Sequence, residues 1–262
     1  MMFPFTTPAP DRQFRKPVPA SIPALQTASL AALYRSARKG GDFFDFVSIR
    51  ARLIFLLLDI AGMRQEALDI AAAAQDTFQN EASNLFNISP LNEADALGDL
   101  TVAVNRAILT AAGAVHCAPG FIGCYDEEVG ILTYINAGHI PALVKDGDGV
   151  TLLESNGLPL GLFSHATHDP QVWAMEPGGA LLLVSRGLIE SRSGSREFGL
   201  ERLRDSLGKL SFNSATELSS GVLTAVQQFT NNATPENDIT TVALMRAEMP
   251  VGAPIGIAAQ AR

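Results

Sequence analysis

No apolar run in this sequence approaches the ~18 residues that a membrane-spanning helix requires. The strongest, Leu53 to Leu58, is strand-length and stops at Asp59. Cysteine is scarce: Cys117 and Cys124 are the only two. Their spacing is neither that of a C-x-x-C redox or zinc site nor a disulfide framework, so both read as small apolar thiols in a reduced compartment. Basic residues are outnumbered, 19 Lys and Arg against 27 Asp and Glu, for a formal net charge of −8. That balance excludes nonspecific nucleic-acid binding and anchoring to anionic lipid, both of which need a basic surface. Near the N-terminus Pro4, Pro8 and Pro10 fall where a secretory signal would need an apolar core, so the expected location is cytoplasmic.

What is present is an ordinary globular chain of 262 residues, 47% hydrophobic and 18% charged, enough for one well-buried domain. Residues 1 to 28 carry six prolines and read as an extended arm, too short for a sensor domain, so that control is expected from elsewhere. Residues 29 to 247 form the domain, and 248 to 262, rich in Ala and Gly, form a loose tail. Strands are expected at 29–34, 43–49 and 53–58. Helices follow at about 65–84, with Leu68, Ala71, Ala72, Gln75 and Phe78 on one face, and at 92–112, with Leu97, Leu100, Val104 and Ile108 inward. Hairpins are expected at 120–136 and 142–154, strands at 171–175, 180–184 and 240–246, and helices at 200–210 and 214–231. Strands, two helices, many antiparallel strands, two helices and a last strand make an α+β pattern, not the alternation of a doubly wound sheet.

Two carboxylates stand at strand ends, Asp42 after Gly40-Gly41 and Asp59 after Leu53 to Leu58. Asp at the end of a strand is ordinary turn chemistry. A carboxylate held at the lip of so apolar a run also suits a hard cation, which offsets its desolvation. Gly40-Gly41-Asp42-Phe43-Phe44-Asp45 resembles the Gly-Gly-Asp-aromatic-aromatic-Asp opening of the stage-II-sporulation-E branch of the metal-dependent protein phosphatases. Leu58-Asp59-Ile60-Ala61-Gly62 is similar to that family's Asp-Val-x-Gly-His-Gly segment. Asn136-Ala137-Gly138-His139-Ile140-Pro141, Gly157-Leu158-Pro159-Leu160-Gly161, Ser185 to Arg192 and Asn237-Asp238-Ile239-Thr240 resemble four further family segments, in family order.

The resemblance implies two antiparallel sheets packed face to face with helices on both outer sides, a four-layer α-β-β-α sandwich. It also implies two Mg²⁺ or Mn²⁺ ions at one end of the sandwich and metal-assisted hydrolysis of phosphoserine or phosphothreonine in proteins. Carried over residue by residue, Asp42 and Asp59 match metal ligands and catalytic positions, and the Ile60 carbonyl matches a third ligand. The family's next ligand is Arg186 here, and the fourth falls on Asn237, or on Asp238 if the register moves by one. The family's Gly-His-Gly has become Gly62-Met63-Arg64. With Asp42, Asp59 and Arg186 around two dications, about three positive charges are uncompensated, and two dications ~4 Å apart repel by on the order of 16 kcal/mol at an effective dielectric of ~20. One ion at most is therefore expected, or none, with the Arg186 guanidinium pairing with Asp59 as a built-in cation.

The expected function is that of a sporulation-E-like phosphatase-family protein in bacterial regulatory signalling, of impaired activity. Its partner would be a phosphoprotein such as an anti-sigma-factor antagonist, or another regulatory protein. Two alternatives stay open: an active Mn- or Mg-dependent phosphatase with substitute ligands, and a non-catalytic scaffold module. His139 is expected to order a turn. His116, His165 and His168 lack ligand-like spacing, and Trp173, Phe43 and Phe44 read as core.

Overall fold

The all-apolar run of the third strand supplies two hydrophobic layers at once. Successive side chains of a strand point to opposite faces. Ile54, Leu56 and Leu58 accordingly enter a core shared with two helices, while Leu53, Phe55 and Leu57 enter a second core shared with another sheet. A computed structural model describes residues 16–37, 41–62 and 64–248. Gly40, Met63, residues 1–15 of the arm and 249–262 of the tail lie outside the described residues.

One five-stranded antiparallel sheet has the order β2 (Asp42–Ile49), β3 (Arg52–Asp59), β4 (Gly120–Asp126), β5 (Ile131–Ala137), β8 (Gln171–Ala174). The other runs β1 (Ala28–Arg35), β12 (Ile239–Arg246), β9 (Ala180–Val184), β6 (Ala142–Asp146), β7 (Gly149–Leu153). Helices α1 (Arg64–Phe86) and α2 (Glu93–Ala112) cover the first sheet, and α4 (Leu200–Lys209) and α5 (Ala215–Phe229) cover the second. Three apolar layers between four layers of secondary structure give an α-β-β-α sandwich. Among the described residues no helix is long and apolar enough to cross a membrane.

Local chemistry accounts for the elements. Asn92 caps α2 by accepting from the Ala94 and Asp95 amides at 3.1 and 3.4 Å, and Gly113, at φ 65°, ends it with an N–H donated to the Leu109 carbonyl. In α1 the buried stripe runs through Ala67, Ile70, Ala71, Ala74 and Phe78. Leu68, expected on that stripe, is half-buried beside Pro17 and Asp42 instead. Phe43 packs toward the helices and Phe44 toward the sheet interface.

Two features lie outside the sequence reading, which has no element between residues 184 and 200. The chain there forms a helical turn α3 (Arg186–Ile189) and a two-stranded ribbon, β10 (Arg192–Ser193) with β11 (Arg196–Glu197). The helical turn rests on close backbone approach. A Cβ at position 187 would come within 2.0 Å of the Asp238 carbonyl oxygen, so only glycine lets α3 lie against the start of β12.

The described part of the arm, residues 16–27, has no regular structure but is tied down. Val18 exchanges two hydrogen bonds with the Gln75 side chain, at 2.7 and 2.9 Å, and the Gln26 and Thr27 amides donate to Glu127.

Candidate metal and phosphate site

Strands β2 and β3 are joined at one end by the Arg50–Ala51 turn, so the start of β2 and the end of β3 meet at the other. There Asp42 and Asp59 are direct cross-strand partners. Like charges facing each other on a sheet are destabilising, so this pair suits a cation between them. Gly41 allows the approach: its carbonyl accepts from the Ile60 amide at 3.0 Å, and a Cβ on it would come within 1.9 Å of the Ile60 carbonyl oxygen.

The second sheet delivers the rest. Thr240, at the start of β12, donates from its hydroxyl to Asp42 Oδ2 at 2.6 Å and so bridges the two sheets. Ser185, just past β9, accepts from the Thr240 amide at 3.0 Å and donates to the Asp238 carbonyl at 3.3 Å. Arg186 follows it, with Nε 3.3 Å from Asp59 Oδ2; its side chain is 55% exposed, against 21% for Asp59. Asn237 donates from its side-chain amide to Glu190 at 3.3 Å. Asp238, 3% exposed, uses both oxygens within the protein. Oδ2 accepts from the Tyr34 hydroxyl at 2.8 Å and Oδ1 from the Ala37 amide at 2.7 Å.

Asp42, Asp59, Ile60, Arg186, Asn237 and Asp238 therefore line one cleft of about 230 Å³ at the end of the sandwich. Its electrostatics follow from burial and charge. Desolvation pushes the Asp42 carboxyl up to about 7, against the polar Ser185 and Thr240 hydroxyls beside it and with the help of Asp59 and Asp238. Burial also raises Asp59, Arg186 opposes the rise, and Asp238 adds to it. The Tyr34 hydroxyl is raised by burial and by its bond to Asp238.

The donor set on the first sheet's side suits a hard cation. The Asp42 and Asp59 carboxylates and the Ile60 carbonyl are oxygen donors of the kind Mg²⁺ and Mn²⁺ take, with water completing the shell. On the opposite side stand a guanidinium, an amide engaged with Glu190, and a carboxylate whose two oxygens are already accepting. Among the described residues no group of three or more His, Cys, Asp or Glu is arranged to hold a metal ion.

Several contributors were not singled out from sequence. Thr240 and Ser185 lay within motif-bearing segments, but their role depends on sheet packing that no spacing reveals. Tyr34 stands next to the end of β1 with no local signal at all. His116, without ligand-like spacing, sits beside the cleft with Nε2 2.5 Å from the Ala61 carbonyl oxygen. Asp45, the second acid of the opening motif, points away from the site. It is 1% exposed and accepts from Gln75 and Gln79 at 3.0 and 2.8 Å. His139 is 4% exposed. Its amide donates to the Asn136 side chain at 2.9 Å and its Nδ1 pairs with the Ile140 carbonyl at 3.1 Å, both bonds of a turn. Burial lowers its imidazole to about 4, which keeps the ring neutral.

A sandwich of this topology with an acidic cleft at one end defines the PP2C class of phosphatase folds. Residues 50–247 match the family model of stage II sporulation protein E (SpoIIE), and the chain belongs to that family. Over 128 residues, 48% of the chain, it is 30% identical to Protein IcfG of Synechocystis sp., of which the match covers 20%. The RsbU and RsbW domains of Rv1364c from Mycobacterium tuberculosis superpose with a TM-score of 0.71 at 24% identity, over 91% of this chain and 64% of that one. The PP2C phosphatase domain of SpoIIE from Bacillus subtilis gives 0.68 at 18% identity, over 84% of this chain and 64% of that one. RsbX, solved in complex with magnesium, gives 0.62 at 16% identity, over 87% of this chain and 99% of that one. The chain thus spans a fifth of the relative IcfG and about two thirds of the first two structures.

Proposed function

We propose that this protein is a SpoIIE-family phosphatase module of impaired activity that works by binding a phosphoprotein in regulatory signalling in the cytoplasm. The observation that carries this reading is the ion pair of Arg186 with Asp59 across a cleft in which Asp238 already has two internal donors. Arg186 supplies permanently the positive charge that a second ion would bring. A phosphate entering the cleft meets that guanidinium, whose remaining N–H groups suit a phosphate oxygen. Partner-switching proteins, with a phosphorylated anti-sigma-factor antagonist as the type, are the proposed ligands; the likeness to the RsbU and RsbW domains of Rv1364c supports that class. The domain carrying this function is residues 29–247, with the arm and tail outside it.

A second reading has its own support. Asp42, Asp59 and the Ile60 carbonyl would hold one Mg²⁺ or Mn²⁺, which when bound supplies charge neutralisation and an acidified water. This chain's own groups would then hold the site together. Thr240 fixes Asp42, Gly41 brings the Ile60 carbonyl close, and Arg186 orients the phosphate against Asp59. Hydrolysis of a chromogenic phosphoester with Mn²⁺ separates the two. Under the first reading turnover stays at the level of Asp59→Asn; Mn²⁺-dependent turnover abolished by Asp59→Asn establishes the second.

A further inference from the structure

Beside the acidic cleft lies a larger groove, of about 400 Å³. The two are continuous, since Gly187, Glu190 and Asn237 line both. The groove runs from α3 and the β10–β11 ribbon to the last turn of α5, with Leu223, Val226 and Ile239 as its apolar floor. Its volume falls in the lower part of the ~300–1,000 Å³ range of ligand pockets.

Charge gives the groove a sign. Three carboxylates, Glu190, Glu197 and Glu236, line the groove against the guanidiniums of Arg35 and Arg192, and the adjoining cleft adds Asp42, Asp59 and Asp238 against Arg186. Two of those guanidiniums face acids of their own: Arg186 lies against Asp59, and Arg192 bonds Glu197. Glu236 and Glu190 stand exposed along the groove wall. Helix α5 points its C-terminal turn into the same space and carries no basic residue of its own there, so the negative end of its dipole adds to the acidic wall. A groove of this kind, opening directly onto a phosphate cleft, suits a cationic side chain a residue or two away from the phosphate.

Resting on the phosphoprotein reading above, we propose that the groove holds the chain segment flanking the partner's phosphorylated residue and selects a basic side chain there. The selection is electrostatic at a partly exposed wall, so it weakens with salt. It contributes on the order of tenfold between a basic and an acidic flank.

Fluorescence anisotropy with the full chain at low salt tests this using three labelled peptides: phosphoserine with a Lys-Arg flank, phosphoserine with a Glu-Glu flank, and the unphosphorylated basic peptide. The basic phosphopeptide is expected to bind about tenfold more tightly than the acidic one. Glu236→Lys, an exposed change, is expected to bring that ratio within twofold, and Thr234→Trp at the exposed rim to do the same by filling the groove. Thermal melts report that both variants fold. Equal affinity for the two phosphopeptides, or a ratio unchanged in both variants, overturns the groove assignment alone. Equal affinity for the phosphorylated and unphosphorylated basic peptides, or no binding by any, overturns the phosphoprotein reading and the groove with it.

Discussion

Arg186 stands at a position where a single side chain changes what the site can hold. Its contact with Asp59 is half exposed, and ion pairs of that kind contribute at most about 1 kcal/mol to stability. The guanidinium therefore matters for the charge of the cleft more than for folding. Asp42 is the reverse case, a half-buried acid whose carboxyl is raised by desolvation to about 7. Raised above its unfolded value, it binds a proton more tightly in the folded state, so stability is highest below pH ~4 on its account and falls as pH rises toward 7. Asp42→Asn is expected to flatten the fall in melting temperature between pH 5 and 8 and to raise the melting temperature at pH 8 in chelator. A pH series of thermal melts on both proteins checks it; an unchanged slope contradicts the burial of that charge. Asp42 and Asp59 were legible in sequence because each stands at one end of a strand within a signature. Asp238 was legible as an acid, but its capture by Tyr34 and Ala37 was not, because β1 is 200 residues away in the chain and adjacent only through the sheet.

At the scale of elements, the site depends on how closely α3 and β12 approach. Gly187 permits it, and Ser185 fastens it through Thr240 and Asp238. Gly187→Ala is expected to push α3 off β12, cost about 1–3 kcal/mol and move Arg186 away from Asp59. Chemical denaturation reads the stability, and a stability equal to wild type contradicts the packing described. Long periodic elements such as α2, and hairpins with strong turn chemistry such as β6–β7, could be read from residues alone because local pattern and burial agree in them. The short α3 and the β10–β11 ribbon could not. Their stability comes from contacts with β12 and with each other, and four or two residues carry no period.

The whole molecule is a sandwich whose two sheets converge on one cleft, each contributing half of it. The first sheet brings Asp42, Asp59 and the Ile60 carbonyl, a set suited to a hard cation. The second brings Arg186, Asn237 and Asp238, a set suited to something already charged. Layer order followed from the succession of strands and helices together with the motif resemblance, and its physical basis is the two-faced apolar β3. What the cleft does depends on groups drawn together from residues 34 to 240, which no local window joins. The central claim is that the second sheet's half does not bind an ion. Calorimetric titration of Mn²⁺ into the full chain and into Arg186→Asp/Asn237→Asp tests it most directly. The account expects at most one weakly bound ion per chain in the wild type and one additional ion in the double variant. Two ions bound by the wild type, or no gain in the folded double variant, would contradict it.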